Sequence, residues 1–460
     1  LARIAPRLLR PLPFLYPTRR RPPGRSRLAF RLAFLADALL AFDRDAGVEP
    51  PLRLPSPRLV TRTACLDRFP ELTPDDLTGG AMWYDYQIVE ADRLVVGVAM
   101  AAAAHGAAIA NYVEAFEPLR VRGAVAGLRV RDLEGGDVIE VRARVTLNAA
   151  GAAAGRVAAT FGAPLVLPLV KAMNVMTARP AGDTALCAPT AGGRMLTLVP
   201  WRGRALVGTS QGDRFTHPGD TSVSRTELEV FLAEINASFP FLALRPTEVT
   251  LVHRGVVPAA ADRLGRPVLR PEPLLVDHAR DGIEGAVTLA GVKLTTARLA
   301  AARAIDLVAR KLGRRVARST TDAAVLPGAG LGDHERLAAE AAGRAGVTLD
   351  PEVRAHLAAV YGERCTLVLS LVAERAELAA RLDPAQPAIA AEVVHAIRHE
   401  AARHLDDILA RRMPLGSAGH PGYRLALTAA TIAATELGWT PGVVDRELAR
   451  LRALYAPVLE

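Results

Sequence analysis

The spacing of apolar and polar positions divides the chain into three stretches. From Leu1 to Pro57 a cluster of prolines (Pro11, Pro13, Pro17, Pro22, Pro23) breaks any regular period, and the expectation is irregular structure around one helix, Ser26 to Phe42, whose Leu28, Phe30, Leu32, Phe34, Leu35 and Leu39 are apolar. Asp92 to Ala104 reads as a buried helix stopped by Gly106, with Ala107 to Tyr112 as the strand after it. Val121 to Leu133 and Val138 to Leu147 are β-rich runs joined by the turn Glu134-Gly135-Gly136-Asp137. Further strands are expected at Leu165–Thr177, Met195–Pro200 and Arg204–Gly208, and an amphipathic helix at Arg225–Phe239. The middle of the chain therefore predicts a mostly antiparallel sheet under helical cover. Beyond Pro327 the period becomes helical, at Asp333–Ala345, Pro351–Val360, Leu367–Ala373, Ala388–Met413, Arg424–Leu437 and Pro441–Leu454, so a helical C-terminal domain is expected after a linker near Leu326–Gly330.

Composition adds limits to this picture. At 460 residues and 50% hydrophobic, the chain can bury a large core in two or three domains. Its longest apolar run, Leu94 to Ala104, is far short of the roughly 20 residues of a membrane span. The chain starts at leucine with no signal-peptide order of regions, and reads as cut at its N-terminus. Cys65, Cys187 and Cys365 are odd in number and far apart, which fits a reducing compartment and neither a disulfide framework nor a zinc site.

The net charge of +9 is local. Twelve arginines face four acids between Leu1 and Arg58, and the remainder is almost neutral. Such an arm suits anionic lipid or RNA, and equally a plain solvated surface. Lysine occurs only at Lys171, Lys293 and Lys311, so a lysine inside a motif is informative.

Two segments carry candidate chemistry. The strand ending in Asn148-Ala149-Ala150-Gly151 closes on a small-residue turn, which lets backbone approach a dinucleotide. Thr288 to Arg298 reads as strand, Gly291, then a helix beginning Leu294-Thr295-Thr296, so unpaired N–H groups and the positive helix end lie at the turn beside Lys293. A His395, His399, Glu400 and His404 zinc site is not expected, because the HExxH spacing is absent. Glu400 with Arg403 or His404, and Asp407 with Arg411, read as surface pairs on a helix.

Gly291-Val292-Lys293-Leu294-Thr295-Thr296-Ala297-Arg298 resembles the Gly-Lys-Leu-Thr-Thr-x-Arg motif of FAD-dependent glycerol-3-phosphate dehydrogenases, flavoproteins of the D-amino-acid oxidase type with a helical C-terminal domain. Gly79–Asp85 with Glu90–Leu94, Leu198–Trp201 with Leu206–Asp213, and His399–Arg412 resemble other stretches of that family. The resemblance implies an α/β (α+β) fold: a Rossmann-like FAD-binding domain lacking its first βαβ unit, an antiparallel-sheet substrate domain and an all-helical C-terminal domain. Residues 1–325 would form the oxidoreductase, with FAD-binding parts at about 90–155 and 282–312 and substrate parts at about 43–89 and 156–281; residues 326–460 would form the helical domain. It also implies oxidation of glycerol 3-phosphate to dihydroxyacetone phosphate with FAD as cofactor, quinone or another electron acceptor as partner, and no nucleic acid. The location implied is cytoplasmic, with peripheral contact at the inner membrane, and the shortened chain is expected to be inactive alone. By the same resemblance Asn148, Ala149 and Gly151 lie at the dinucleotide, Gly291, Lys293, Leu294 and Thr295 at the flavin, and Arg254, Asn174 and Lys293 are the catalytic candidates.

Two departures bear on the substrate. Where the family has a phosphate-binding arginine in Gly-x-Arg-Pro, His253-Arg254-Gly255-Val256-Val257-Pro258 has Val257, leaving Arg254 three residues away. Lys171-Ala172-Met173-Asn174 puts Asn174 where the family has a histidine beside the flavin. An amino or hydroxy acid substrate on the same fold, or a non-catalytic basic protein binding membrane or nucleic acid, are the alternatives. No metal site is expected.

Overall fold

The computed structural model describes residues 1–20, 23–72, 75–163, 165–291 and 293–456. Val292, the variant position in the lysine motif, lies outside the described residues. The chain enters as β1 (Leu9–Arg19), α1 (Arg27–Leu40), β2 (Arg58–Val60), α2 (Arg62–Arg68), β3 (Leu77–Ile88) and α3 (Ala91–Ala104). A meander of β4 (Val113–Val121), β5 (Ala124–Asp132) and β6 (Val138–Arg142) follows, then β7 (Thr146–Asn148) and α4 (Ala154–Thr160). The middle supplies β8 (Leu169–Pro180), β9 (Ala185–Pro189), β10 (Met195–Trp201), β11 (Arg204–Thr216), α5 (Arg225–Ser238), β12 (Val249–Ala261) and β13 (Pro267–Leu269). After β14 (Leu274–Asp277), β15 (Ala286–Ala290) and α6 (Leu294–Lys311) come the C-terminal helices α7 (His334–Arg344), α8 (Pro351–Tyr361), α9 (Cys365–Glu374), α10 (Ala390–Glu400), α11 (Tyr423–Leu437) and α12 (Pro441–Leu454).

Three sheets result: nine strands in the order β13-β12-β8-β11-β10-β9-β1-β3-β2, a trio β14-β15-β7, and the meander. The large sheet is covered on both faces because its strands alternate. Met173 and Val175 pack under α5 with Leu228, Phe231 and Ile235, whereas Met176 and Leu251 join the core of the C-terminal helices.

Five expectations need correction. The proline-rich start is not irregular, since β1 is an inner strand paired with β3 along its whole length. Leu8 O accepts from Val89 N, which makes the even-numbered residues of β1 the hydrogen-bonded partners of β3. Pro11, Pro13 and Pro17 are all odd, so their nitrogens face the other edge, where β9 pairs only at Phe14 and Leu15. Helix α3 is only partly buried, with Val95 and Val98 half exposed, and no strand forms at Ala107–Tyr112. The run Val138–Leu147 is two strands in two sheets: Ala143 N still bonds Ala126 O of the meander, and three residues later Thr146 N bonds Gly285 O beside β15. The helix expected over Ala388–Met413 breaks at Ala401, which is left-handed (φ 54°). There the Asp407 carboxylate accepts from Arg403 N and His404 N and that of Glu447 from Leu405 N, drawing the backbone out of the helix before a π-helical turn at Asp407–Arg412.

Candidate active site

Strands β7 and β15 run parallel, with Asn148 opposite Thr288, so the small-residue turn and the start of α6 lie at the same carboxyl end. That end is where open α/β sheets bind ligands. Asn148 is buried and its amide is fully engaged: Nδ2 donates to Ala154 O (2.8 Å) and Thr288 Oγ1 (3.2 Å), and Oδ1 accepts from Ala150 N (3.2 Å). Thr288 Oγ1 in turn lies 2.8 Å from His278 Nε2. Asn148 thus shapes the turn from beneath, and what faces outward is the backbone of Ala149 and Gly151. Gly151 has φ 57°, and a side-chain carbon there would meet nothing within 4 Å, so the space before the turn is open. At the same end, after β15, Gly291, Lys293, Leu294 and Thr295 are exposed. No side chain caps α6; Thr296 N donates to Lys293 O (3.2 Å), which leaves the first N–H groups, of Leu294 and Thr295, to whatever binds there.

Beside this end lies a cleft of about 570 Å³ lined by Ala172 and Asn174 of β8, Thr209 of β11, His253, Arg254, Gly255 and Val257 of β12, Leu269, Arg270, Pro271 and Lys293. The structure therefore brings together all three catalytic candidates, Asn174, Arg254 and Lys293. Asn174 Oδ1 accepts from Thr209 Oγ1 (2.9 Å), leaving its Nδ2 for the cleft. The next strand can approach only because residue 208 is glycine: a side-chain carbon there would stand 1.7 Å from Asn174 Oδ1. Arg254 is at the cleft, but its guanidinium is committed, with Nε donating to Thr221 O (3.0 Å) and Nη1 to Leu454 O of α12 (3.3 Å). Burial lowers its pKa. Lys171 is drawn away to Asp220 (2.8 Å) and Glu227 (2.7 Å).

Two cleft residues escaped the sequence reading. Arg270 has a buried Nε without a hydrogen-bond partner; in the sequence it is one arginine among many, with no motif around it. His253 is the register partner of Asn174 across β12 and β8 and opens to the cleft. The signal for it was period-2 pairing of two strands, which a single sequence does not align. The expected surface pairs of the His399–Arg412 segment are also corrected. Glu400 is buried and pairs with Arg93 of α3 (2.6 Å), and His404 sits between Glu447 (2.9 Å) and Glu134 (3.0 Å). Asp407 and Arg411 do pair, at 3.4 Å, but Asp407 is buried.

A parallel strand pair closing on a small-residue turn and an uncapped helix, next to a cationic cleft on an antiparallel sheet, defines a dinucleotide-dependent oxidoreductase. Comparison with known proteins gives the family: the chain belongs to the FAD dependent oxidoreductases, matched over residues 20–307, and residues 319–443 match the C-terminal domain of alpha-glycerophosphate oxidase. Its cofactor is FAD. Among relatives, the glycerol-3-phosphate dehydrogenase of Mycobacterium leprae (strain TN) is 30% identical, over 98% of this chain and 75% of its own. Glycerol-3-phosphate dehydrogenase 2 of Mycobacterium tuberculosis (strain ATCC 25618 / H37Rv) is also 30% identical with the same coverage. The chain thus spans three quarters of these relatives' length. The crystal structure of the Bacillus halodurans glycerol-3-phosphate dehydrogenase complexed with FAD shares the fold, with a TM-score of 0.77 at 21% identity over 99% of this chain and 83% of that one.

The residues present fit the cofactor. The open space before Gly151 and the uncapped start of α6 with Lys293 beside it suit a polar, partly anionic occupant.

Proposed function

We propose that this chain is the part of a glycerol-3-phosphate dehydrogenase that holds the substrate, oxidising glycerol 3-phosphate to dihydroxyacetone phosphate. The observation that carries the reading is the cleft in which Asn174, Arg270 and Lys293 converge beside the carboxyl ends of β7 and β15. When bound, FAD supplies the two-electron sink. The protein's tasks are to bind, orient and hold charge. Lys293 and the first turn of α6 would hold the flavin, placing positive charge where it gains electrons. Arg270, with its uncommitted Nε, takes the phosphate in place of the arginine missing at Val257, and Arg254 adds its charge from the rim. Asn174 Nδ2 donates to the substrate hydroxyl. The backbone of Ala149, Gly151 and Gly291, with Leu294 and Thr295, contacts the cofactor.

Electrons would pass to quinone or another acceptor, from a cytoplasmic position peripheral on the inner membrane. Supporting that peripheral contact, α1 turns Leu28, Leu32, Leu35 and Leu39 to solvent, all at least 59% exposed, while Phe30 packs on Tyr16. No helix among the described residues is long and apolar enough to cross a membrane.

The test is reduction of an artificial dye by the full-length, FAD-loaded protein. Turnover with glycerol 3-phosphate is expected; turnover with an amino or hydroxy acid alone would transfer Arg270 to a carboxylate and sink the reading.

A further inference from the structure

Oxidising a secondary alcohol frees the hydroxyl proton, so the cleft needs an acceptor for it. Asn174 cannot serve, because an amide does not take a proton near neutrality. No carboxylate lines the cleft among the described residues, and its one imidazole there is His253. We propose that His253 is the general base that takes the substrate's hydroxyl proton.

Geometry places it for this. His253 faces Asn174 directly across the antiparallel β12–β8 pair, and side chains at such positions emerge on the same face about 5 Å apart. A hydroxyl held by Asn174 Nδ2 is therefore within reach of the neighbouring ring. Arg254 follows it in the strand, and Arg270 and Lys293 share the cleft. Behind it stand Asp92, in the first turn of α3, and Ser417 of the C-terminal domain, with Arg411 and Arg412 acting on Asp92. Burial lowers the imidazole pKa below its ordinary value, against the opposing pull of Asp92 and the Ser417 backbone. The proton-accepting neutral ring is then the resting form at neutral pH. In the step itself the O–H bond breaks toward a ring nitrogen, the C–H hydrogen leaves with its electron pair to the family's oxidant, FAD, and the C–O bond becomes a carbonyl. The ring afterwards releases its proton to solvent through the open cleft.

The inference rests on the oxidation proposed above, and the test separates the two. In dye reduction with glycerol 3-phosphate, wild type should show kcat/KM falling below an acid limb set by His253, and H253Q should lose about 100-fold or more and that limb with it. The double variant H253Q/N174H, which returns an imidazole to the facing strand position, should regain at least about tenfold. With histidine-15N labelling, the resonance absent from H253Q is His253; it should titrate below the ordinary value, lower still in D92N, and move when glycerol 3-phosphate is added. A folded H253Q with full kcat/KM and an unchanged pH profile overturns the role of His253 while leaving the substrate intact. A His253 resonance that does not respond to glycerol 3-phosphate overturns it without any need for turnover. Absence of turnover in the full-length wild type together with a responding resonance tells against oxidation of the bound glycerol 3-phosphate and keeps His253 in the site.

Discussion

Replacing Glu400 by glutamine should destabilise the protein by about 3–5 kcal/mol, because it removes the charge from one half of a buried ion pair. Both side chains are out of solvent, at 7% exposure for Arg93 and 1% for Glu400, with Nη1 2.6 Å from Oε2. Arg93 also lies over the Tyr361 ring, 4.9 Å from its centroid. His395 Nε2 stands 3.3 Å from the second carboxylate oxygen, an ion-pair distance without hydrogen-bond geometry. Burial pushes the Glu400 carboxyl up, but Arg93 and then His395 outweigh it and hold it at about 2. A fall from 4.5 to about 2 is worth about 3 kcal/mol by linkage, in line with the cost of breaking such pairs. The folded-state pKa is depressed, so this contribution is complete above about pH 4.5 and disappears as pH falls toward about 2. The assay is urea unfolding followed by circular dichroism from pH 7 to pH 3. The wild type should lose stability over the acid part of this range more steeply than Glu400→Gln, and Arg93→Met/Glu400→Leu should recover much of the loss, since an apolar pair leaves no unpaired charge. A deficit below about 1 kcal/mol at pH 7, or parallel pH curves for the two proteins, refutes the reasoning.

Arg270→Gln should raise KM for glycerol 3-phosphate by about tenfold or more and leave kcat less affected, as loss of a charge-assisted anion contact does, whereas Arg254→Gln, already tied to two carbonyls, should act mainly on stability. Steady-state kinetics and thermal melting separate the two. Changing Leu28, Leu32, Leu35 and Leu39 together to serine should lower cosedimentation with phosphatidylglycerol vesicles by about tenfold or more without altering secondary structure; equal retention would mean that charge alone, or no membrane, engages α1. Asn148→Ala should cost about 1–3 kcal/mol in unfolding and weaken FAD retention, because the turn loses the bonds to Ala150, Ala154 and Thr288; unchanged FAD content would show that the turn holds its shape without them.

Local chemistry was legible in the sequence wherever one residue type had one physical use. The Ser26 cap of α1 and the Ser224–Glu227 capping box of α5 sit where the pattern put the helix starts. Lys293, rare in an arginine-rich chain, is at the cleft. What stayed illegible depends on partners distant in the chain. The prolines of β1 mimic a linker until the register with β3 shows that their nitrogens share one edge. His253 acquires meaning only through Asn174 on a strand 79 residues earlier, Arg270 only through the cleft it lines, and Glu400 reads as a surface charge until Arg93 is placed against it, 307 residues back in sequence.

The C-terminal helices matter to the chemistry more than their sequence suggested. The segment His399–Arg412 supports kinship and contains no group that lines the cleft, yet its surroundings brace β12 beside it. Leu454 O of α12 accepts from Arg254, Ala418 O accepts from Thr250 Oγ1 (2.7 Å) and Arg204 Nη1 (3.0 Å), and Ser417 touches His253. Thr250 and Arg254 flank His253 on one strand, so the helical domain grips β12 on either side of the proposed base. Met176 and Leu251, two residues along from Asn174 and His253 and on the same face of the strand pair, are buried in the helical core and fix the same two strands. A domain that presents no reactive side chain can therefore set the distance between the amide and the imidazole, and loosening its contact with Thr250 should disturb the cleft before it unfolds the helices.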